Sequence, residues 1–153
     1  VDKVLTLAAA AFDFVIVDLP HTLTNWTETM LSKAETFFAV TQIDMRSAQN
    51  TLRFLRLLKS EDLPLEKLEF VMNRAPGFAD VGAKSRVKRM AESLGIEYTV
   101  MLPDGGKQVT QACDHGQPLA EYARGNALRK EIRKMAKNIV QEADASKLAT
   151  SPG

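Results

Sequence analysis

The stretch Phe12–Pro20 constrains the fold more than any other part of the chain. Its centre, Phe14–Val17, is a continuous apolar run without alternation of polar and apolar residues. Such a run is typical of a central parallel strand that is covered on both faces. Pro20 cannot extend the hydrogen-bonded ladder, so the predicted strand ends by residue 19. Asp18 then lies at the carboxyl end of the strand, where it either steers a magnesium ion through water or only caps the turn into the next helix.

Four predicted strands organise the chain. They begin near residues 12, 37, 68 and 96, and one helix lies in each intervening segment. This spacing is typical of repeated βαβ units, which predicts an α/β fold with a mostly parallel sheet flanked by helices on both faces. The predicted folded portion is residues 1–143, and residues 144–153 form a small, polar, flexible tail.

Helix ends are predicted from capping residues. Side-chain oxygens of Thr, Asp and Asn satisfy the free N–H groups of a first helical turn, and glycine favours the left-handed residue that follows a last turn. A helix is also predicted over residues 1–11, before the first strand. The predicted N-caps are, in chain order, Thr22 or Thr24, Asp44, Asp80 and Asn126, and Gly95 is predicted to close the helix that Asp80 begins.

Polar residues follow the apolar strands at three places. These are Asp18, Asn73 with Arg74, and Asp104 directly after Pro103. In a parallel sheet all of them lie at one edge, and a convergence of polar groups there indicates a binding site. Each position also has a purely structural alternative: Asn73 bonds only the loop backbone, and Asp104 caps only the Gly-Gly turn after it.

Several classes of function are excluded by what the sequence lacks. It holds no Gly-x-x-x-x-Gly-Lys-Ser/Thr loop and no Gly-x-Ser-x-Gly elbow, so neither a phosphate-cradling loop nor a serine-hydrolase nucleophile is present. Cys113 is the single cysteine, which rules out an internal disulfide. No apolar run reaches the ~20 residues of a membrane span. The net charge of +1 is not a nucleic-acid-binding signature. The basic residues of the last two long helices are predicted to be solvated faces, and the alternative is contact with DNA or an acidic membrane surface.

Six segments, taken in their order and spacing, carry a resemblance to a known family. They are Phe12–Pro20, Thr24–Thr27, Val40–Asp44, Phe70–Arg74, Leu102–Asp104 and Gly116–Leu119. The first resembles a Walker B strand, and the last two resemble a C-terminal signature. Together they are similar to the MinD/ParA-type ATPases with a deviant Walker A loop, and most similar to the CpaE/TadZ branch of pilus-assembly proteins.

The resemblance implies a role for each candidate site residue. Asp18 would orient magnesium-bound water and act in catalysis, and Asn73 would hydrogen-bond the adenine edge with Arg74 beside it. Pro103 and Asp104 would line the base pocket. The family's N-terminal strand and Walker A lysine are absent, so residues 1–143 would be the C-terminal portion of an ATPase domain. ATP and magnesium would then belong to the full-length protein, and this chain alone is not expected to bind them tightly or to hydrolyse ATP.

The function that the resemblance implies is that of a CpaE/TadZ-like factor. Such a factor is cytoplasmic, forms a homodimer with ATP, and places the secretion machinery of Flp/Tad-type pili at a cell pole. One alternative is a MinD/ParA-type ATPase of cell division or DNA partition. Another is a non-catalytic scaffold whose nucleotide site has decayed. The expected partners are therefore pilus proteins, with no nucleic acid and no transmembrane segment.

Overall fold

The computed structural model describes residues 1–20, 26–77 and 80–150, so the predicted caps Thr22 and Thr24 lie outside the described residues. Two compact units are present. The first contains Val1–Phe37 and Phe54–Leu68, and the second contains Phe38–Arg53 and Glu69–Gly153. The elements are, in chain order, α1 (Asp2–Ala11), α2 (Thr27–Lys33), β1 (Phe37–Thr41), α3 (Met45–Ser60), β2 (Leu68–Ala75), α4 (Val81–Leu94), β3 (Tyr98–Pro103), α5 (Lys107–Asp114), α6 (Leu119–Tyr122) and α7 (Ala127–Thr150).

The second unit is built on a three-stranded parallel sheet of order β1-β2-β3. β2 is central, and its residues Phe70, Val71 and Met72 are all buried, as expected of a strand covered on both faces. β2 and β3 are parallel, with Met72 opposite Met101. The parallel sheet with flanking helices confirms the predicted α/β fold class.

Helix ends in the second unit follow the capping chemistry of the sequence. The Asp44 carboxylate accepts a hydrogen bond from the Ser47 amide at 2.7 Å, in the first turn of α3. The Asp80 carboxylate accepts from the Ala83 amide at 2.8 Å, in the first turn of α4. Gly95 ends α4 with a left-handed φ of 65°, a conformation that costs glycine little because it has no Cβ. The predicted caps Asp44, Asp80 and Gly95 are confirmed.

The last helix, α7, packs against β3. Its half-buried residues Leu128, Met135 and Ile139 recur at helical spacing, which gives the helix one apolar side. α7 continues to Thr150, into the segment 144–153 that the sequence predicts as a flexible tail. Within residues 1–20, 26–77 and 80–150, no helix combines the length and apolarity that crossing a bilayer requires.

The first unit has a small core and a polar link at its N-terminus. Leu31 of α2 and Leu58 of α3 are fully buried, and the rings of Phe37 and Phe54 stack with centroids 5.8 Å apart. An ion pair links α1 to α2, since the Lys33 ammonium group lies 2.7 Å from the Asp2 carboxylate. The hydrogen bond from Lys33 lowers the pKa of Asp2. The predicted N-terminal helix is thus confirmed, although none of its residues is buried.

The predicted first strand is wrong. Residues 12–20 form no regular secondary structure. The apolar side chains at the centre of this segment, Phe14–Val17, are exposed, with Ile16 95 % exposed. A strand needs a neighbour that pairs with its N–H and C=O groups, and no strand of the described chain pairs with this segment. The sequence pattern shows that the side chains are apolar, but it does not show whether a neighbouring strand is present to pair with the backbone. Asp18 therefore does not lie at the end of a strand.

Replacing Ile16 by lysine distinguishes the exposed segment from a buried strand. We expect the Ile16→Lys free energy of unfolding to stay within about 0.5 kcal/mol of the parent chain, because an exposed side chain loses no packing. The matched control is Leu31→Lys in the same unit, where a charge placed at a fully buried site is expected to cost several kcal/mol or to prevent folding. Urea denaturation of the 153-residue chain measures both. If Ile16→Lys instead lowers the free energy of unfolding by several kcal/mol, Ile16 is buried and the segment belongs to the core.

Candidate functional site

The carboxyl ends of β2 and β3 lie side by side in the second unit. Asn73 is opposite Leu102, and Ala75 is opposite Pro103. Because the two strands are parallel, this register places the end of β2 and the start of the β3–α5 loop at the same edge of the sheet. Four of the predicted site residues are therefore neighbours along this edge: Asn73, Arg74, Pro103 and Asp104.

A β-bulge interrupts this edge at Arg74. The register shifts between Asn73 and Ala75, so that Arg74 is the extra residue on β2. Its φ of 52° lies in the left-handed region, which costs an L-residue other than glycine roughly 1–2 kcal/mol. The Asn73 side-chain oxygen accepts a hydrogen bond from the Arg74 amide at 3.0 Å and holds the bulge. Bulges and left-handed residues of this kind re-aim side chains and concentrate at binding sites.

The side chains of the bulge retain unused hydrogen-bonding groups. The Asn73 side-chain nitrogen donates to no residue of the described chain, and the Asn73 side chain is half-buried. Arg74 is exposed and forms no ion pair with any described carboxylate. An amide donor and a guanidinium group thus remain available to a ligand at the sheet edge. The loop-backbone role that the sequence left open for Asn73 is present, and it uses only the oxygen of the side chain.

The β3–α5 loop is the second half of the site. The Asp104 carboxylate accepts a hydrogen bond from the Gly106 amide at 2.7 Å, which closes the turn. Gly106 has φ 61° and ψ −155°, a conformation open essentially to glycine alone, and α5 begins directly after it. Asp104 therefore caps the Gly-Gly turn, as the structural alternative predicted, and its second carboxylate oxygen accepts from no group in the part of the chain that the structure describes.

Asp18 belongs to the first unit, whereas the other four candidate residues belong to the second. It is exposed in the irregular segment 12–20. The grouping of Asp18 with the sheet edge thus stays a prediction. Among the described residues, no three His, Cys, Asp or Glu side chains gather to hold a metal ion. A Mg²⁺ ion that keeps several waters and substrate phosphates as ligands needs only one or two carboxylates, so a single aspartate is compatible with that kind of site.

The sheet edge presents three kinds of polar group to a ligand. It offers an amide, a carboxylate and the guanidinium of Arg74, and none of these is a strong nucleophile at neutral pH. The sequence predicted the residues but not the bulge, because no glycine or Asn-Gly pair marks it. The bulge at Arg74 becomes visible only once the register between β2 and β3 is known.

Comparisons with known proteins relate the fold to one class of ATPase. No family model matches the sequence, and no curated protein matches it significantly. Among solved structures, the fold is similar to a ParA family ATPase from Chlorobium tepidum TLS, with a TM-score of 0.78 and 21% sequence identity. The match covers 88% of this chain and 55% of that protein. The chain thus spans about half the length of the structure it matches, and the likeness is one of fold.

Proposed function

We propose that this chain is the C-terminal portion of a MinD/ParA-like ATP-binding domain in a CpaE/TadZ-like pilus-assembly factor. The observation that carries the proposal is the left-handed bulge at Asn73–Arg74, which lies beside the Pro103–Asp104 loop at the carboxyl edge of the sheet. Ligands of open α/β sheets bind at this edge. The resemblance of six sequence segments to CpaE/TadZ proteins supports the pilus role, and the fold similarity supports the nucleotide domain.

In the proposed site, Asn73 recognises the adenine base. Adenine presents a donor and an acceptor on neighbouring edge positions, and an amide side chain offers both groups in matching geometry. The Asn73 nitrogen is free of described partners, and its oxygen, held by the Arg74 amide, retains a second lone pair. Arg74 flanks the base, and Pro103 and Asp104 line the pocket on the β3 side.

The phosphate side of the site lies outside these 153 residues. The sequence contains no Walker A loop, and backbone amides of such a loop are the usual cradle for nucleotide phosphates. ATP hydrolysis is therefore proposed only for the full-length protein. There Asp18 would hold magnesium-bound water, and the ion would neutralise charge on the phosphates. The full-length protein is proposed to be a cytoplasmic homodimer that acts with pilus secretion proteins at the cell pole.

The base-binding role of Asn73 is tested by the affinity of the full-length natural protein for ATP. Asn73→Ala is expected to weaken ATP binding about tenfold, because losing hydrogen bonds to the base costs roughly 1–1.5 kcal/mol. Asn138→Ala is the matched control, since Asn138 is an exposed asparagine on α7 away from the sheet edge. Isothermal titration calorimetry measures both affinities.

Two results would contradict this assignment. If Asn73→Ala and Asn138→Ala bind ATP with equal affinity, Asn73 does not contact the base. The 153-residue chain alone is expected to show no rise in melting temperature at millimolar ATP, because it lacks the phosphate cradle. A clear rise would mean that this chain holds the phosphates by residues other than those proposed.

A DNA-partition ATPase is the second candidate, and one surface favours it. Between residues 129 and 137, α7 carries five basic residues, and no described carboxylate forms an ion pair with them: Arg129, Lys130, Arg133, Lys134 and Lys137. Nucleic-acid phosphates bind such a surface with an affinity that falls steeply with salt. A fluorescent fusion of the full-length protein separates the candidates. A focus at the cell pole supports the pilus factor, and a distribution over the nucleoid supports partition.

A further inference from the structure

Asn126 connects the start of α7 to the loop that carries the proposed base pocket. Its side-chain nitrogen donates hydrogen bonds to the Gly105 carbonyl at 2.9 Å and to the Gln108 side-chain oxygen at 2.7 Å. Its side-chain oxygen accepts from the Leu128 amide at 2.9 Å. Asn126 is only 8 % exposed. One buried side chain thus caps α7 and, with its other end, holds the β3–α5 loop.

The helix cap needs only half of this side chain. An N-cap residue uses an oxygen that accepts from the first turn, and serine or aspartate does this as well as asparagine. Only the amide nitrogen of Asn126 reaches Gly105 and Gln108. The choice of asparagine is therefore explained by the loop contact and not by the cap.

The β3–α5 loop is closely packed at Gly105, the residue that Asn126 contacts. A Cβ atom placed on Gly105 would collide with the Val109 side chain and would lie 3.0 Å from the Leu128 Cδ2 atom. The backbone at Gly105 therefore sits directly against the first turn of α7. Asp104 and Gly106 close the same turn through their own hydrogen bond. The loop from Asp104 onward is thus fixed against the start of α7, whereas Pro103 is placed by its pairing with Ala75 on β2.

We infer that Asn126 is a positioning residue for the base side of the nucleotide pocket, acting through Gly105 and Asp104. The inference rests on the proposed function, since it assigns the Asp104 loop to the base. Asn126 touches no ligand itself. It holds the loop in the observed arrangement, in which Asp104 and Asn73 lie at the same edge of the sheet.

The test separates base binding from phosphate binding in the full-length natural protein. Asn126→Ser and Asn126→Asp both keep a capping oxygen, and both lose the side-chain nitrogen that donates to Gly105 and Gln108. Each is expected to weaken ATP binding about tenfold and to leave the affinity for inorganic tripolyphosphate unchanged. A variant that merely destabilised the fold would lower both affinities together. Two variants are used because a carboxylate and a hydroxyl perturb the buried site differently.

A second readout follows the loop without any nucleotide. In the 153-residue chain, the Gly106 amide donates to Asp104, so its hydrogen exchange reports whether the turn is closed. Both variants are expected to speed this exchange about tenfold, while α7 amides beyond its first turn keep their rates. If the exchange rate of the Gly106 amide is unchanged in both variants, the inference that Asn126 holds the β3–α5 loop is wrong.

The two possible failures are distinguishable. If the parent full-length protein binds ATP no better than tripolyphosphate, the proposed base site is wrong, and the positioning role of Asn126 for the base fails with it. The Gly106 exchange then tests only whether Asn126 holds the β3–α5 loop. If the parent protein discriminates between the two ligands and the Asn126 variants retain its full ATP affinity, the positioning role is wrong and the proposed function stands.

Discussion

Met72→Ala is expected to lower the free energy of unfolding by about 3 kcal/mol. Met72 is fully buried on the central strand of the sheet. The truncation deletes methylene groups and a sulfur atom that are packed in the core. It also leaves a cavity, because the surrounding sheet relaxes only in part. Urea denaturation followed by circular dichroism measures the loss, and the slope with urea should not change.

Met101→Ala is the matched control for Met72→Ala. Met101 is the register partner of Met72 on β3, but it is 39 % exposed. The same truncation there removes side-chain atoms that already contact water in part, so we expect a loss of about 1 kcal/mol or less. Equal losses at the two positions would contradict the placement of β2 at the centre of the sheet and β3 at its edge.

Gly105→Ala is expected to cost about 2 kcal/mol, the range of overpacking in a close-packed site. The added methyl group would collide with Val109 and crowd the Leu128 side chain. Val109 is β-branched and stiff at χ1, so its side chain cannot swing away easily. The free energy of unfolding of the 153-residue chain is the measurement. A Gly105→Ala/Val109→Ala double variant should recover part of the loss, because the removed methyl groups make room for the new one.

Gly125→Ala provides the comparison for Gly105→Ala. A Cβ at Gly125 would meet no atom within 4 Å. Its substitution is therefore expected to change stability by less than about 0.5 kcal/mol. If Gly105→Ala proved as mild as Gly125→Ala, the β3–α5 loop would not be pressed against α7, and the argument for Asn126 would lose its steric support.

Local chemistry in the sequence was sufficient to predict several helix ends and three strands. Asp44, Asp80 and Asn126 cap helices because a short polar side chain satisfies free amides only a few residues away. β2 and β3 were predicted because their apolar runs are bounded by turn and helix signals. These features depend on residues that are neighbours along the chain, and for that reason the sequence pattern is a reliable guide to them.

Longer-range features were predicted poorly. Ile16 lies in an apolar run, yet it is almost fully exposed because no described strand pairs with its segment. The candidate residues Asn73, Arg74, Pro103 and Asp104 were identified from strand ends, but the bulge that aims Asn73 was not. The link from Asn126 to Gly105 spans 21 residues of sequence, and no local pattern indicates it.

By itself the sequence determined that Asp44, Asp80 and Asn126 begin helices, that Gly95 ends one, and that polar residues lie at or directly after the ends of β2 and β3. Only the tertiary structure decided which apolar run is paired and buried, where the sheet register slips at Arg74, and which loop α7 holds. The physical reason is the range of the forces involved. A cap is completed within one helical turn, whereas a strand, a bulge or a buried side-chain link exists only when a distant part of the chain supplies its partner.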